Sequence, residues 1–157
     1  MFGDFACKCA YLGWSKLAVI ICGVEIKSNE AIFAIVESDS DDNVTHINST
    51  TKKLALHDHE DAASLHALTK AIAAFINENK IQGFVIKSRQ KTGQMAAGGI
   101  TFKIETLLQL SGIEVTFVSP PTLTAFQKKS NVSTPPQSVN RYQADAYRAA
   151  AWKLTKV

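Results

Sequence analysis

Hydrophobic patterning begins at Leu17. Leu17 to Lys27 is an apolar run ending in charge, which suits a central strand buried on both faces. Ser28-Asn29 is a turn signal and Ala31 to Val36 a second strand, so the two pair as a hairpin. Beyond a polar, acidic loop at Ser38 to Asn43, Val44 to Asn48 fits a third strand at an edge. Asp58, Glu60 and Asp61 supply the negative charge that a helix N-terminus favours. Leu65, Leu68, Ile72, Phe75 and Ile76 follow at helical spacing, predicting a helix over 60–79. Gly83 to Lys87 is a short strand, and Ser88 to Gly99 a loop rich in glycine and lysine. Thr101 is placed to cap a helix running to Ser111, with Gly112 as its stop. Ile113, Val115 and Phe117 alternate as a fifth strand, and Ser119-Pro120-Pro121 opens a helix with proline in its first turn. Lys128 to Gln137 reads as a loop, and residues 139–154 as the last helix.

Three strands, then alternating helices and strands, predict one α/β domain over residues 17–157. A three-stranded antiparallel meander is extended by parallel strands into a mixed sheet covered by helices. No internal repeat or boundary interrupts it. The first sixteen residues carry no sustained period and read as an N-terminal appendage, residues 1–16.

Composition narrows the class. With 46% apolar residues the chain is not disordered, and eight glycines and four prolines exclude a collagen-like or low-complexity polymer. The longest apolar run, Leu17 to Val24, falls far short of the ~20 residues that span a bilayer. Glu25 and Lys27 follow it in place of a small-residue cleavage site, so a soluble, cytoplasmic protein without a membrane partner is expected. Cys7, Cys9 and Cys22 are too few for a disulfide framework and have no zinc-ligand spacing; His57-Asp58-His59 reads as a solvated loop. Charge is unevenly divided. Residues 1–78 carry 11 acids and 6 bases, and residues 79–157 carry 3 acids and 11 bases, which marks the C-terminal half as a candidate anion-binding surface.

Two carboxylates stand in apolar patterns. Glu25 ends the central-strand run, and Asp145 sits at the buried-face spacing of the last helix. An ionised acid facing a core must be paired, hydrogen-bonded or bound to a metal. Either the two form a divalent-cation site, or they pair with Lys27, Lys87, Arg141 or Arg148 in a structural network. Glu105, one turn into the helix after the basic loop, is a third candidate, or a first-turn acid that stabilises that helix. The loop from Lys87 to Gly99 with its following helix carries Lys87, Arg89, Lys91 and Lys103 and no acid before Glu105, a composition suited to phosphate. It lacks the spacing of a nucleotide-binding phosphate loop, and no nucleophile elbow, dinucleotide fingerprint or zinc-protease helix occurs.

The segments "CGVEIKSNEA", "FVIKSRQKTGQMAAGGITFKIE", "VSPPT" and "QADAYRAA", in that order, resemble an uncharacterised bacterial family catalogued as domain of unknown function 3010. The element order and "GVEI…QADA" are also similar to the ribonuclease H-like superfamily, in particular the bacterial Holliday-junction resolvase. That resemblance implies a ribonuclease H-like fold and acids on the first strand, the middle strand and the last helix that hold divalent metals for phosphodiester hydrolysis. Glu25 matches the first-strand acid and Asp145 the first acid of the last helix. Lys87 stands at the middle-strand position and Arg148 at the second last-helix position, two bases where acids are expected. Two functions follow as expectations. One is a nuclease using Mg²⁺ or Mn²⁺ at Glu25 and Asp145, with Glu105 as a further catalytic acid and Lys87, Arg89, Lys91 and Lys103 holding nucleic acid. The other is a catalytically inactive nucleic-acid-binding module of the same fold. A homodimer is left open.

Overall fold

The computed structural model describes residues 18–89 and 98–155; the expected appendage, residues 1–16, lies outside them, as do Lys91 and most of the glycine-rich loop. The apolar run forms β1 (Val19–Lys27), which turns through Ser28-Asn29 into β2 (Glu30–Ser38). Ser28 takes a positive φ of 56° in this turn. The hairpin is antiparallel from Val19 opposite Ser38 to Lys27 opposite Glu30. The outer edge of β2 is shared by two short antiparallel strands, β3 (Val44–Ile47) and β4 (Lys53–Ala55). On the other side β5 (Gly83–Lys87) runs parallel to β1, and β6 (Glu114–Val118) parallel to β5. The sheet order is β3-β2-β1-β5-β6, with β4 beside β2. This is the expected meander extended by parallel strands, with β4 added: three residues carry too little alternation to stand out in a sequence.

Four helices lie among the described residues. The first, α1 (Ala62–Asn79), is capped by Asp61, whose carboxylate accepts from the Ala63 N–H, and ends at Lys80 in the left-handed conformation. Its start is two residues later than expected, because Asp61 acts as the cap and not within the first turn. The second, α2 (Gly99–Gln109), begins before Thr101; Gly98 is its N-cap and Thr101 is buried inside the first turn, a correction to its expected capping role. Ser119 caps α3 (Pro120–Lys129), with both prolines in the first turn. The last helix, α4 (Ala144–Thr155), is shorter than the expected 139–154, because residues Arg141–Gln143 form a 3₁₀ turn before it. Gln143 enforces that break. Its side-chain oxygen accepts from the Asn140 N–H at 3.0 Å, and its amide donates to the Phe33 carbonyl at 2.7 Å.

Strand alternation sends β1 residues to two different cores. Cys22, Val24 and Ile26 pack with Leu68, Ile72 and Phe75 of α1 and Ile104 and Leu108 of α2. Ile21 packs with Val85, with Leu123 and Phe126 of α3, and with Ala146, Ala149 and Ala150 of α4. Gly23 lies on the α4 side, where a Cβ would run into the Ala146 carbonyl, so the helix backbone rests directly on β1. Glu25, two residues further along the same face, is thereby carried under the start of α4.

Candidate functional site

The register of the two central parallel strands sets the site. Val24 pairs with Ile86, so Glu25 and Lys87 follow as neighbours at the strand ends, on the face that α4 covers. Gly23 lets the first turn of α4 descend onto them, and Gln143 ties that turn to β2. Asp145 then completes a four-residue cluster. Lys87 Nζ donates to Glu25 Oε2 at 2.9 Å and to Asp145 Oδ2 at 2.6 Å. Arg148 Nη1 donates to Asp145 Oδ1 at 2.7 Å, and Lys27 Nζ lies 3.6 Å from Glu25 Oε1. Glu25 is buried, its side chain only 5% exposed, and Lys87 is 22% exposed. The pairing alternative is thus what forms, through Lys27, Lys87 and Arg148; Arg141 lies exposed.

Electrostatics follow the contacts. Burial pulls the Lys87 amine toward its neutral form, but the hydrogen bonds and charges of Asp145 and Glu25 prevail and raise its pKa. Burial likewise opposes ionisation of Asp145, and Lys87 and Arg148 prevail there, holding its carboxyl below the usual carboxylate range. Three bases face two acids, so the cluster carries surplus positive charge. The buried Nε of Arg148 has no hydrogen-bond partner, so the guanidinium is placed by Asp145 and not by a completed donor set.

These residues do not fit a divalent cation as they stand. Mg²⁺ and Ca²⁺ sit roughly 2.0–2.6 Å from carboxylate oxygens, and Lys87 Nζ fills the gap between the two acids. Among the described residues no three His, Cys, Asp or Glu side chains converge where they could hold a metal ion. Glu105 therefore does not complete Glu25 and Asp145 into a three-carboxylate centre. It is buried in α2, the helix that covers the opposite face of the sheet from α4.

The other expected residues form a second place. Lys103 Nζ donates to the His59 carbonyl at 2.7 Å and lies 3.1 Å from His59 Nδ1. Arg89 and His59 line a cleft of about 320 Å³ with Ser28, the cap residue Gly98 and the first residues of α2, Gly99 to Thr101. Arg89 thus lines this cleft with His59, and Lys103 is held separately to His59, while Lys87 is turned to the acids. A wider cleft of about 500 Å³ lies between β3 and the segment before α4, lined by His46, Ser138 and Tyr147; none of Glu25, Lys87, Asp145 and Arg148 borders it. Gln143 is the positioning residue that sequence reading missed. Its signal was present: Asn140 followed three residues later by Gln is the spacing of a reciprocal cap.

Solved structures similar to this one include Holliday junction resolvases. The Thermus thermophilus RuvC structure superposes with a TM-score of 0.64 at 9% identity, over 85% of this chain and 92% of that one. T. thermophilus RuvC in complex with Holliday junction substrate gives 0.56 at 10% identity, over 85% and 91%. The yeast mitochondrial Holliday junction resolvase Ydc2 gives 0.54 at 11% identity, over 85% and 77%. At such identities the likeness concerns fold: this is a mixed α/β sheet of the RuvC and ribonuclease H type. No curated protein is a significant sequence match. Residues 19–153 match the family described as "Protein of unknown function (DUF3010)", and the sheet and the Glu25–Lys87–Asp145–Arg148 cluster fall inside that span, so the chain belongs to the DUF3010 family.

Proposed function

We propose that this chain is a nucleic-acid-binding module of ribonuclease H-like fold that holds a phosphodiester backbone without cutting it. The observation that carries the reading is the Lys87 amino group lodged between Glu25 and Asp145. Hydrolysis by a metal-dependent nuclease needs those two acids for a cation that polarises the phosphate and generates hydroxide. Here both are engaged by bases. The fold itself supports a nucleic-acid partner, since T. thermophilus RuvC is seen with a Holliday junction. The basic C-terminal half supports it too, and Arg89 and Lys103, each beside His59, are the side chains we assign to phosphate.

The meeting of Glu25 and Asp145 favours the competing nuclease, and one experiment separates the two. Labelled branched, single-stranded and hybrid nucleic acids are incubated with the protein in Mn²⁺, Mg²⁺ or EDTA, and binding is followed by anisotropy across a salt series. The expected result is binding that falls steeply with salt, is unchanged by EDTA and is accompanied by no cleavage. Arg89→Ala and Lys103→Ala weaken it several-fold. Metal-dependent cleavage lost in a Glu25→Ala/Asp145→Ala variant would establish the nuclease instead. Absence of any salt-sensitive binding would remove both readings.

A further inference from the structure

Every carboxylate oxygen of Glu25 and Asp145 has a base beside it. Glu25 Oε2 and Asp145 Oδ2 share Lys87 Nζ, Glu25 Oε1 faces Lys27, and Asp145 Oδ1 takes Arg148. A divalent ion bridging the two acids would require the space that the Lys87 nitrogen fills. The ammonium is fixed there by its strand position beside Glu25, by two short hydrogen bonds and by partial burial. We infer that Lys87 is a resident cation standing where this fold would otherwise take a divalent ion, so that the chain neither needs nor accepts a metal at Glu25 and Asp145. Removing that one charge opens the pair to divalent cations.

The substitution has a chemical consequence. An ammonium places one positive charge between the two acids, with Lys27 and Arg148 supplying the rest, and has three N–H donors, of which these acids use two. It can therefore offer a hydrogen bond to an anion. It has no open coordination position and cannot acidify a bound water as a metal ion does. The cluster keeps the electrostatic half of a metal site and lacks the hydrolytic half. This deepens the proposed reading of the same cluster but does not depend on nucleic acid being bound.

The test is a Mn²⁺ titration of the full chain, read by the electron paramagnetic resonance of free Mn²⁺ and by the Mn²⁺ dependence of Tm. Wild type is expected to take up no Mn²⁺ and to keep its Tm. Lys87→Glu removes the ammonium and adds a carboxylate, and is expected to bind Mn²⁺ at concentrations at least tenfold below the highest at which wild type takes up none, with a Tm that rises with Mn²⁺. Lys87→Met gives a smaller gain, and Lys87→Arg behaves as wild type. If Lys87→Glu does not fold alone, Mn²⁺ restores its folding by mass action. Uptake of Mn²⁺ by wild type that disappears in Glu25→Gln would overturn the inference. So would a Lys87→Glu protein that gains neither binding nor folding from Mn²⁺. Nucleic-acid anisotropy on the same samples keeps the outcomes apart: Mn²⁺ results as expected with no nucleic-acid binding would sink the proposed function and leave the resident cation standing.

Discussion

Under α1 and α2 the sheet is filled by Phe33, Phe75 and Phe84 with Ile72, Ile86 and Leu108, whereas under α4 it is met by Ala146, Ala149 and Ala150. Phe33 and Phe75 stack with ring centroids 4.5 Å apart, and bulk of this kind keeps a helix standing off the strands. The alanines and Gly23 do the opposite and let the α4 backbone touch β1. That close approach is what brings Asp145 to Lys87 and Glu25. One face of the sheet therefore supplies most of the large apolar burial, and the other supplies the short distances that a charged cluster requires. Each face should fail in its own way.

The strongest contrast comes from single methyl groups. Gly23→Ala adds one against the Ala146 carbonyl, an atom that cannot rotate away, and is expected to cost more than about 3 kcal/mol, enough to threaten folding. Ile72→Val removes one from the opposite core and is expected to cost about 1 kcal/mol. Urea unfolding of the two variants checks this, and equal losses would mean that α4 does not sit on β1 as described.

Lys87→Met comes next. It preserves most of the side-chain volume but leaves the buried Glu25 with only the more distant Lys27, and Asp145 with Arg148 alone. Removing one partner of a buried pair is expected to cost about 3 kcal/mol, a fall in Tm on the order of 10 °C for a chain of this size. An unchanged Tm would show that the cluster contributes no stability.

The apolar face was the more legible in sequence because helix and strand periods report burial directly. The spacing of Leu68, Ile72 and Phe75 was enough to place α1, and the run through Val24 was enough to place β1. The charged face was only half legible. Glu25 and Asp145 stood out as acids in apolar patterns, and their candidate partners could be named, but choosing Lys87 over Arg141 needed the parallel register of β1 and β5. Nothing local in the chain encodes that register. Glu105 was singled out by its place one turn into the helix after the basic loop, and that place does not say which face of the sheet the helix covers. Gly98 as the α2 cap was obscured because Thr101 is the better capping residue in isolation, and burial of its side chain decided otherwise.

Gln143→Leu tests how the two faces are joined. The amide of Gln143 satisfies the Phe33 carbonyl at the point where β2 passes from its β4 partner to its β3 partner. Leucine would leave that buried acceptor unpaired, at about 2 kcal/mol. It should also loosen the first turn of α4, so hydrogen exchange at residues 144–148 is expected to quicken while α1 stays protected. Uniform loss of protection would mean that Gln143 stabilises the domain as a whole and does not specifically anchor α4.

The smallest expected effect is a pH signature confined to the charged face. The Asp145 carboxyl is depressed below its usual 3.8: burial opposes this, and Lys87 and Arg148 overcome it. A depressed acid contributes stability that is fully present above its unfolded pKa and is lost as pH falls below 3.8 through the folded value. Lys87 is raised above 10.5: burial again opposes, and Asp145 and Glu25 overcome it. Its contribution is fully present below 10.5 and is lost as pH rises through the folded value. Asp145→Asn should therefore shallow the acid limb of the urea midpoint against pH and also bring the alkaline limb to lower pH, since Lys87 loses one of its two acids. The alkaline limb also contains Tyr147 and Cys22, both raised by burial, so the difference between wild type and variant isolates Lys87. A charge-neutral change on the other face, Ile72→Val, should lower the whole profile without moving either limb. If Asp145→Asn does only that as well, Lys87 and Asp145 are not paired in solution, and the short approach of α4 to β1 serves packing alone.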